Sequence, residues 1–229
     1  MALDARLVRL RRSIEAGELV TDRDFDALYP PRVRRLSLTF WTPVRVAQRA
    51  ALLLAPTPGT RVLDVGAGVG KLCIIAAAGT RASVTGVEHR EHLVRIARDA
   101  ADRIGVHPRF IQGDLASVDW RRFDSFYFYN PFYENVHRDG ARIDDAVELS
   151  QRRFLSDLRT AVDSMVDAPD GTRVVTYHGL GAELPAGYRL DSTEYIGTDA
   201  LRLWIKDPLA ARRALRLAAS GPPPREGQP

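Results

Sequence analysis

Cysteine is almost absent: the 229-residue chain carries one, Cys73, so no intramolecular disulfide can form. A lone thiol within an apolar stretch fits a reducing compartment, where it serves as packing. No apolar run comes near the roughly 20 residues that cross a bilayer. The first residues, Met1-Ala2-Leu3-Asp4-Ala5-Arg6, also lack the apolar core of a secretory leader. Together these absences predict a soluble, cytoplasmic protein without a membrane partner. Metal-ligand spacing is missing as well, because the five histidines are scattered and there is no cysteine pair, so no metal site is expected. Lysine is scarce, the basic residues being almost all arginine, and the net charge is a modest +4. The densest basic patches, Arg9, Arg11 and Arg12 and then Arg32, Arg34 and Arg35, suit nucleic acid, an acidic protein or, ahead of both, solvated helical faces.

What is present is enough apolar residue, 45 %, for one large α/β domain with a helical extension. Residues 3–19 place Leu3, Leu7, Leu10 and Ile14 on one helical face. Thr21 and Asp22 read as an N-cap before residues 24–29, and Pro30-Pro31 stops that helix. A further helix is predicted from Val44 to about Leu54, with Thr42 as its cap and Pro43 in its first position. Beyond position 60, strands are predicted at 60–65, 83–88, 108–112 and 124–129, with helices at 70–78 and 90–104. A long helix over 144–166 and strands at 171–178, 188–195 and 201–206 complete the pattern, the last two joined as a hairpin. The domain reading is an N-terminal helical extension over 1–40, a main domain over 41–219 and a disordered proline-rich tail over 220–229.

The stretch from Val62 to Lys71 reads as a buried strand running into a glycine turn and a helix N-terminus, a cradle whose free N–H groups face a ligand. A dinucleotide fingerprint needs a glycine where this chain has Lys71. The actual pattern is Gly66-x-Gly68-x-Gly70, with Asp64 inside the preceding strand. Two more strands end in acids, Gly86-Val87-Glu88 and, after the third strand, Gly113-Asp114. An acid at the end of the second strand of such a sheet can accept from both ribose hydroxyls. The fourth strand is aromatic, Phe126-Tyr127-Phe128-Tyr129, and leads into Asn130-Pro131-Phe132-Tyr133. An asparagine carbonyl beside an aromatic wall suits an amine nucleophile, which needs acceptors for its N–H groups and little water.

The glycine turn resembles motif I of the class I S-adenosylmethionine methyltransferases. The tetrapeptide at 130–133 is similar to the Asn/Asp-Pro-Pro-Tyr/Phe signature of amino-methyltransferases, with Phe132 where that signature has its second proline. Taken together, residues 60–135 most resemble the non-SET nucleosomal-lysine methyltransferases of the disruptor-of-telomeric-silencing type. The resemblance implies a Rossmann-like, seven-stranded, mostly parallel sheet with an antiparallel last strand, behind N-terminal helices. It also implies S-adenosylmethionine as cofactor, held by Asp64, Gly66, Ala67, Gly68, Gly70, Glu88, Asp114, Leu115 and Asn130. Asn130, Pro131, Phe132 and Tyr133 are then the catalytic loop. Trp41-Thr42-Pro43, Glu134 and His178 are further candidates near the reacting groups, each with a plain packing or loop role as its alternative, and Lys71 is expected at the helix start, facing water or the cofactor's carboxylate. The expected reaction is N-methylation of an amine such as a protein lysine. Nucleic acid, a small molecule, or a non-catalytic binding role are the alternatives, and the oligomeric state is left open.

Overall fold

Short runs of apolar residues between turn residues pair into one seven-stranded sheet in the computed structural model, which describes residues 5–129, 143–147, 150–180 and 183–209. The strands are β1 (Arg61–Val65), β2 (Ser83–Glu88), β3 (Arg109–Gln112), β4 (Ser125–Tyr129), β5 (Arg173–Tyr177), β6 (Tyr188–Ile196) and β7 (Asp199–Lys206). Their order is β3-β2-β1-β4-β5-β7-β6. Strands β1 to β5 are parallel, and β7 runs antiparallel to both β5 and β6, so β6 points the same way as the first five. The predicted terminal hairpin is therefore present, and it is what separates this sheet from an all-parallel dinucleotide sheet.

Because side chains alternate across a strand, each central strand feeds two cores. On β1, Val62 joins one core while Leu63 and Val65 join the other; on β4, Tyr127 lies opposite to Phe126 and Phe128. The first core is covered by α5 (Val44–Leu54), α6 (Lys71–Gly79) and α7 (Glu91–Ile104) together with the N-terminal helix α1 (Ala5–Glu15). The second is covered by α8 (Gln151–Asp167) and by Trp120 and Leu115.

The extension is built into the first core. Leu7, Leu10 and Ile14 of α1 are buried there, as are Phe25, Leu28, Tyr29 and Val33. Helix α1 stops two residues before Gly17, which takes φ +70°; the amides of Gly17 and Glu18 return to the carbonyls of Ile14 and Ser13. That pair of bonds is a Schellman stop, and it ends the helix short of the predicted residue 19. The chain then forms three single-turn helices, α2 (Asp22–Phe25), α3 (Pro31–Arg34) and α4 (Ser37–Phe40).

Several helix boundaries differ from the sequence expectation for local reasons. Thr21 does cap α2, accepting from the Asp24 amide at 3.2 Å. Pro31 opens α3 at its first position as well as closing the segment before it. Pro43 is the cap residue of α5, and Asp22 Oδ1 receives the Val44 amide at 3.1 Å, while Thr42 instead accepts from the Tyr127 hydroxyl at 3.3 Å. Helix α8 begins at Gln151, capped by Ser150, because Asp144 is engaged elsewhere by Arg90 and His92 at 3.1 and 2.8 Å. Parts of the arginine patches are structural: Arg11 donates to the Gly105 carbonyl and Arg34 to that of Tyr29, at 2.6 and 2.7 Å.

Candidate active site

The sheet order places β1 between β2 and β4, so the point where strand order reverses lies at the C-terminal ends of β1 and β4. Crevices at that point are where open α/β sheets bind ligands. Here it collects the glycine turn after β1, Glu88 at the end of β2 and Tyr129 at the end of β4.

All three glycines of the turn have positive φ, between 53° and 76°. Their surroundings differ, and the differences assign them separate tasks. A Cβ on Gly68 would lie 2.8 Å from the Trp41 ring, and one on Gly70 would lie 2.6 Å from Phe110. Gly68 thus lets Trp41 lie flat on the turn, and Gly70 lets α6 start close against β3 and α7. A Cβ on Gly66 would meet nothing within 4 Å, so the turn is open on that side.

The expected row of free amides is not what the turn presents. Gly66 and Ala67 donate to the Val87 carbonyl at 3.0 and 2.9 Å, and Gly70 donates to Ala67 at 2.8 Å. The Gly68 amide donates to Glu88 Oε2 at 3.0 Å, and the Arg90 amide donates to Glu88 Oε1 at 2.8 Å. One carboxylate therefore fixes both the turn and the start of α7. Each of its oxygens retains a further lone pair, which suits a pair of neighbouring hydroxyls.

Asp64 lies behind the turn, buried, where it accepts from the Cys73 thiol at 3.3 Å. Burial pushes its carboxyl up to about 7, against the thiol hydrogen bond and with help from the negative charge of Glu88. The Cys73 thiol is in turn pushed up by burial and by Asp64. Asp114 is held by Arg153 Nη2 at 2.7 Å and caps a short helical turn through the Ala116 amide at 3.4 Å. Leu115 turns its side chain into the second core and offers its carbonyl to Trp120. Asn130, Pro131, Phe132, Tyr133 and Glu134 lie outside the described residues.

Lys71 opens α6, as expected, but it does not face water. Its ammonium is buried between Asp22 Oδ1 at 2.6 Å, Asp26 Oδ1 at 2.8 Å and Ser37 Oγ at 3.0 Å. It clamps the extension to the first turn of α6. A small cavity beside this clamp is lined by Phe40, Trp41, Thr42, Asp64, Gly66 and Tyr129, among others. Tyr129 stacks on Tyr177 with ring centroids 5.9 Å apart and planes 10° from parallel. His178 stands edge-on to both rings, at 5.7 and 4.3 Å. Among the described residues, no group of three or more acidic, histidine or cysteine side chains could hold a metal ion, and no helix is long and apolar enough to cross a membrane.

A family described as a methyltransferase domain matches residues 56–208. The chain belongs to that family. The matched span holds the whole sheet and leaves α1 to α5 outside it. Solved structures share the fold of this methyltransferase. An RNA methyltransferase from Salinibacter ruber, in complex with S-adenosyl-L-homocysteine, is 24 % identical over 73 % of this chain and 94 % of its own, with a TM-score of 0.50. TrmN from Thermus thermophilus is 23 % identical, covering 80 % of this chain and 53 % of its own, with a TM-score of 0.53. The PH0226 protein from Pyrococcus horikoshii OT3 is 14 % identical over 72 % of this chain and 89 % of its own, with a TM-score of 0.50. No curated protein matches the chain.

The methyltransferase is class I, and its cofactor is S-adenosylmethionine. The residues present fit that group by their chemistry: an open glycine at Gly66, an oriented diol acceptor at Glu88 and a second acid at Asp114. Sequence reasoning missed the Lys71 clamp and the use of Glu88 to hold the turn. The acid at the strand end was visible, but its bond to Gly68 depends on how β1 and β2 lie side by side.

Proposed function

We propose that the protein methylates a nitrogen of its acceptor, bound over the C-terminal ends of β4 and β5. The observation that carries this is the aromatic wall: Tyr129 borders the cavity next to Gly66 and stacks on Tyr177. Such a surface excludes water from a neutral amine and tolerates the positive charge that forms on it. In this reading Gly66 gives the cofactor close backbone approach, Glu88 accepts from its ribose hydroxyls and Asp114 faces the adenine side. When bound, S-adenosylmethionine supplies an electrophilic methyl group on a sulfonium. The loop that starts at Asn130 follows Tyr129 directly in the chain, and the Asn130 carbonyl is assigned to hold the amine's N–H groups in line. A protein lysine is the first acceptor class and a nucleic-acid amine the second.

Incubating the purified protein with methyl-labelled S-adenosylmethionine and a cell lysate tests the assignment. The lysate is then divided into protein, nucleic-acid and small-molecule pools. Label in protein, stable to mild alkali and lost to protease, is the expected result. Label that mild alkali releases is a methyl ester, and it refutes nitrogen transfer; label lost to nuclease alone moves the acceptor to nucleic acid.

A further inference from the structure

The pairing of His178 with Asp199 lies outside every role assigned so far. His178 directly follows β5, Asp199 opens β7, and the antiparallel pairing of Tyr177 with Leu201 brings the two residues to the same edge of the sheet as the glycine turn. Nδ1 of His178 lies 2.7 Å from Asp199 Oδ2, and the other oxygen of Asp199 takes the Ala200 amide at 2.6 Å. The carboxylate is thus aimed from both sides. It fixes the proton of the neutral ring on Nδ1 and leaves Nε2 as the acceptor. The His178 side chain is 33 % exposed, so a bound molecule can reach it. Its backbone takes φ 56°, a conformation that a non-glycine residue adopts at a cost, and such positions concentrate at functional sites. Across its ring stands Tyr129, which borders the cavity beside Gly66.

Resting on the nitrogen-transfer reading above, we propose that His178 is the general base of the reaction, with Asp199 as its positioning residue. The acceptor arrives as an ammonium and gives one proton to Nε2. The freed lone pair on nitrogen forms the N–C bond as the S–C bond to the methyl group breaks, and that electron pair stays on sulfur. The imidazolium, balanced by Asp199, then releases its proton to water. A hydroxyl acceptor would use the same base in the same way and give an ether that is stable to alkali, so the dyad assigns the proton's destination, and acid hydrolysis of the labelled material with analysis of the methylated product identifies the acceptor atom. The titratable groups facing His178 among the described residues are Asp199 from β7, Tyr129 from β4 and Tyr177 from its own strand.

The test uses the full-length protein, saturating methyl-labelled S-adenosylmethionine and whichever lysate pool the wild type labels, with initial rates taken across neutral pH. His178→Gln should lower the rate by about 100-fold or more, the usual scale of a general base, with cofactor affinity by calorimetry unchanged. Asp199→Asn should lower kcat far more than it raises KM, and imidazole should rescue His178→Gly less well once Asp199 is also replaced, which a purely structural role would not do. His178→Gly fits the left-handed backbone, and added imidazole should restore part of its lost rate. A His178→Gln protein with wild-type rate and pH profile overturns the base assignment alone. A wild type that labels no pool overturns the transfer reading and the base together. Should His178→Gln fail to fold, the Asp199→Asn kinetics and the imidazole rescue decide, and an unchanged kcat with no rescue overturns the proposal.

Discussion

Asp64 is a carboxyl group held half-protonated near neutrality by its burial. Its folded value of about 7 lies above the ordinary 3.8, so the folded state binds the extra proton. The stability that this proton confers is complete below pH 4 and is lost as pH rises through 7. Asp64→Asn keeps an acceptor for the Cys73 thiol and removes the titration. It is expected to be more stable than the wild type at pH 8 by as much as about 4 kcal/mol, and equal to it at pH 4, as read from urea midpoints. Glu88 carries a separate prediction. Its removal strands the amides of Gly68 and Arg90 and takes away the proposed diol acceptor. Glu88→Ala should weaken S-adenosylmethionine binding by about 1–3 kcal/mol, and a calorimetric titration matching the wild type would exclude Glu88 from the cofactor site.

At the scale of elements, the Lys71 clamp joins α2, α4 and α6 through one buried ammonium. Removing the lysine leaves Asp26 buried without its counter-charge, which is the costly way to break such a pair. Lys71→Ala should destabilise the protein by about 3 kcal/mol, the low end of the range for buried pairs because Asp22 is partly exposed. A double variant, Lys71→Met with Asp26→Leu, should recover most of that loss, and denaturant midpoints compare the two. The strands were readable because β1, β2, β4 and β5 are short apolar runs between turn residues, and each lies within two residues of its expected position. Helix ends were less so. Nothing near Asp144 says that Arg90 and His92, more than fifty positions earlier, will hold it outside α8. The partners of Lys71 and His178 were not readable for the same reason: they are set by tertiary packing, and local sequence carries no trace of it.

Across the whole molecule, the extension and the sheet share one core. Phe25, Leu28 and Tyr29 are buried in the same cluster as Val62 and Ile74, and Arg103 of α7 donates to the Leu28 carbonyl. Neither part can lose its structure without exposing the other's apolar surface. Scanning calorimetry should therefore show one unfolding transition for residues 5–209, and two separated peaks would show that α1 to α5 form an independent unit. The family match starts at residue 56, so α1 to α5 lie outside the matched span although they share its core.

Lysine scarcity has a practical consequence for any assay of amine acceptors. The chain has two lysines. Lys71 is enclosed by Asp22, Asp26 and Ser37, and the Lys206 ammonium donates to the carbonyls of Met165, Val166 and Ala168 at the end of α8. Neither amine is a ready nucleophile while the protein is folded. The folded enzyme is thus a poor source of lysine acceptors for its own chemistry, and its two lysines should stay unlabelled in its proteolytic digest. Methyl-lysine in other bands of a labelling gel then reports transfer to a partner molecule without a background from the enzyme's own lysines.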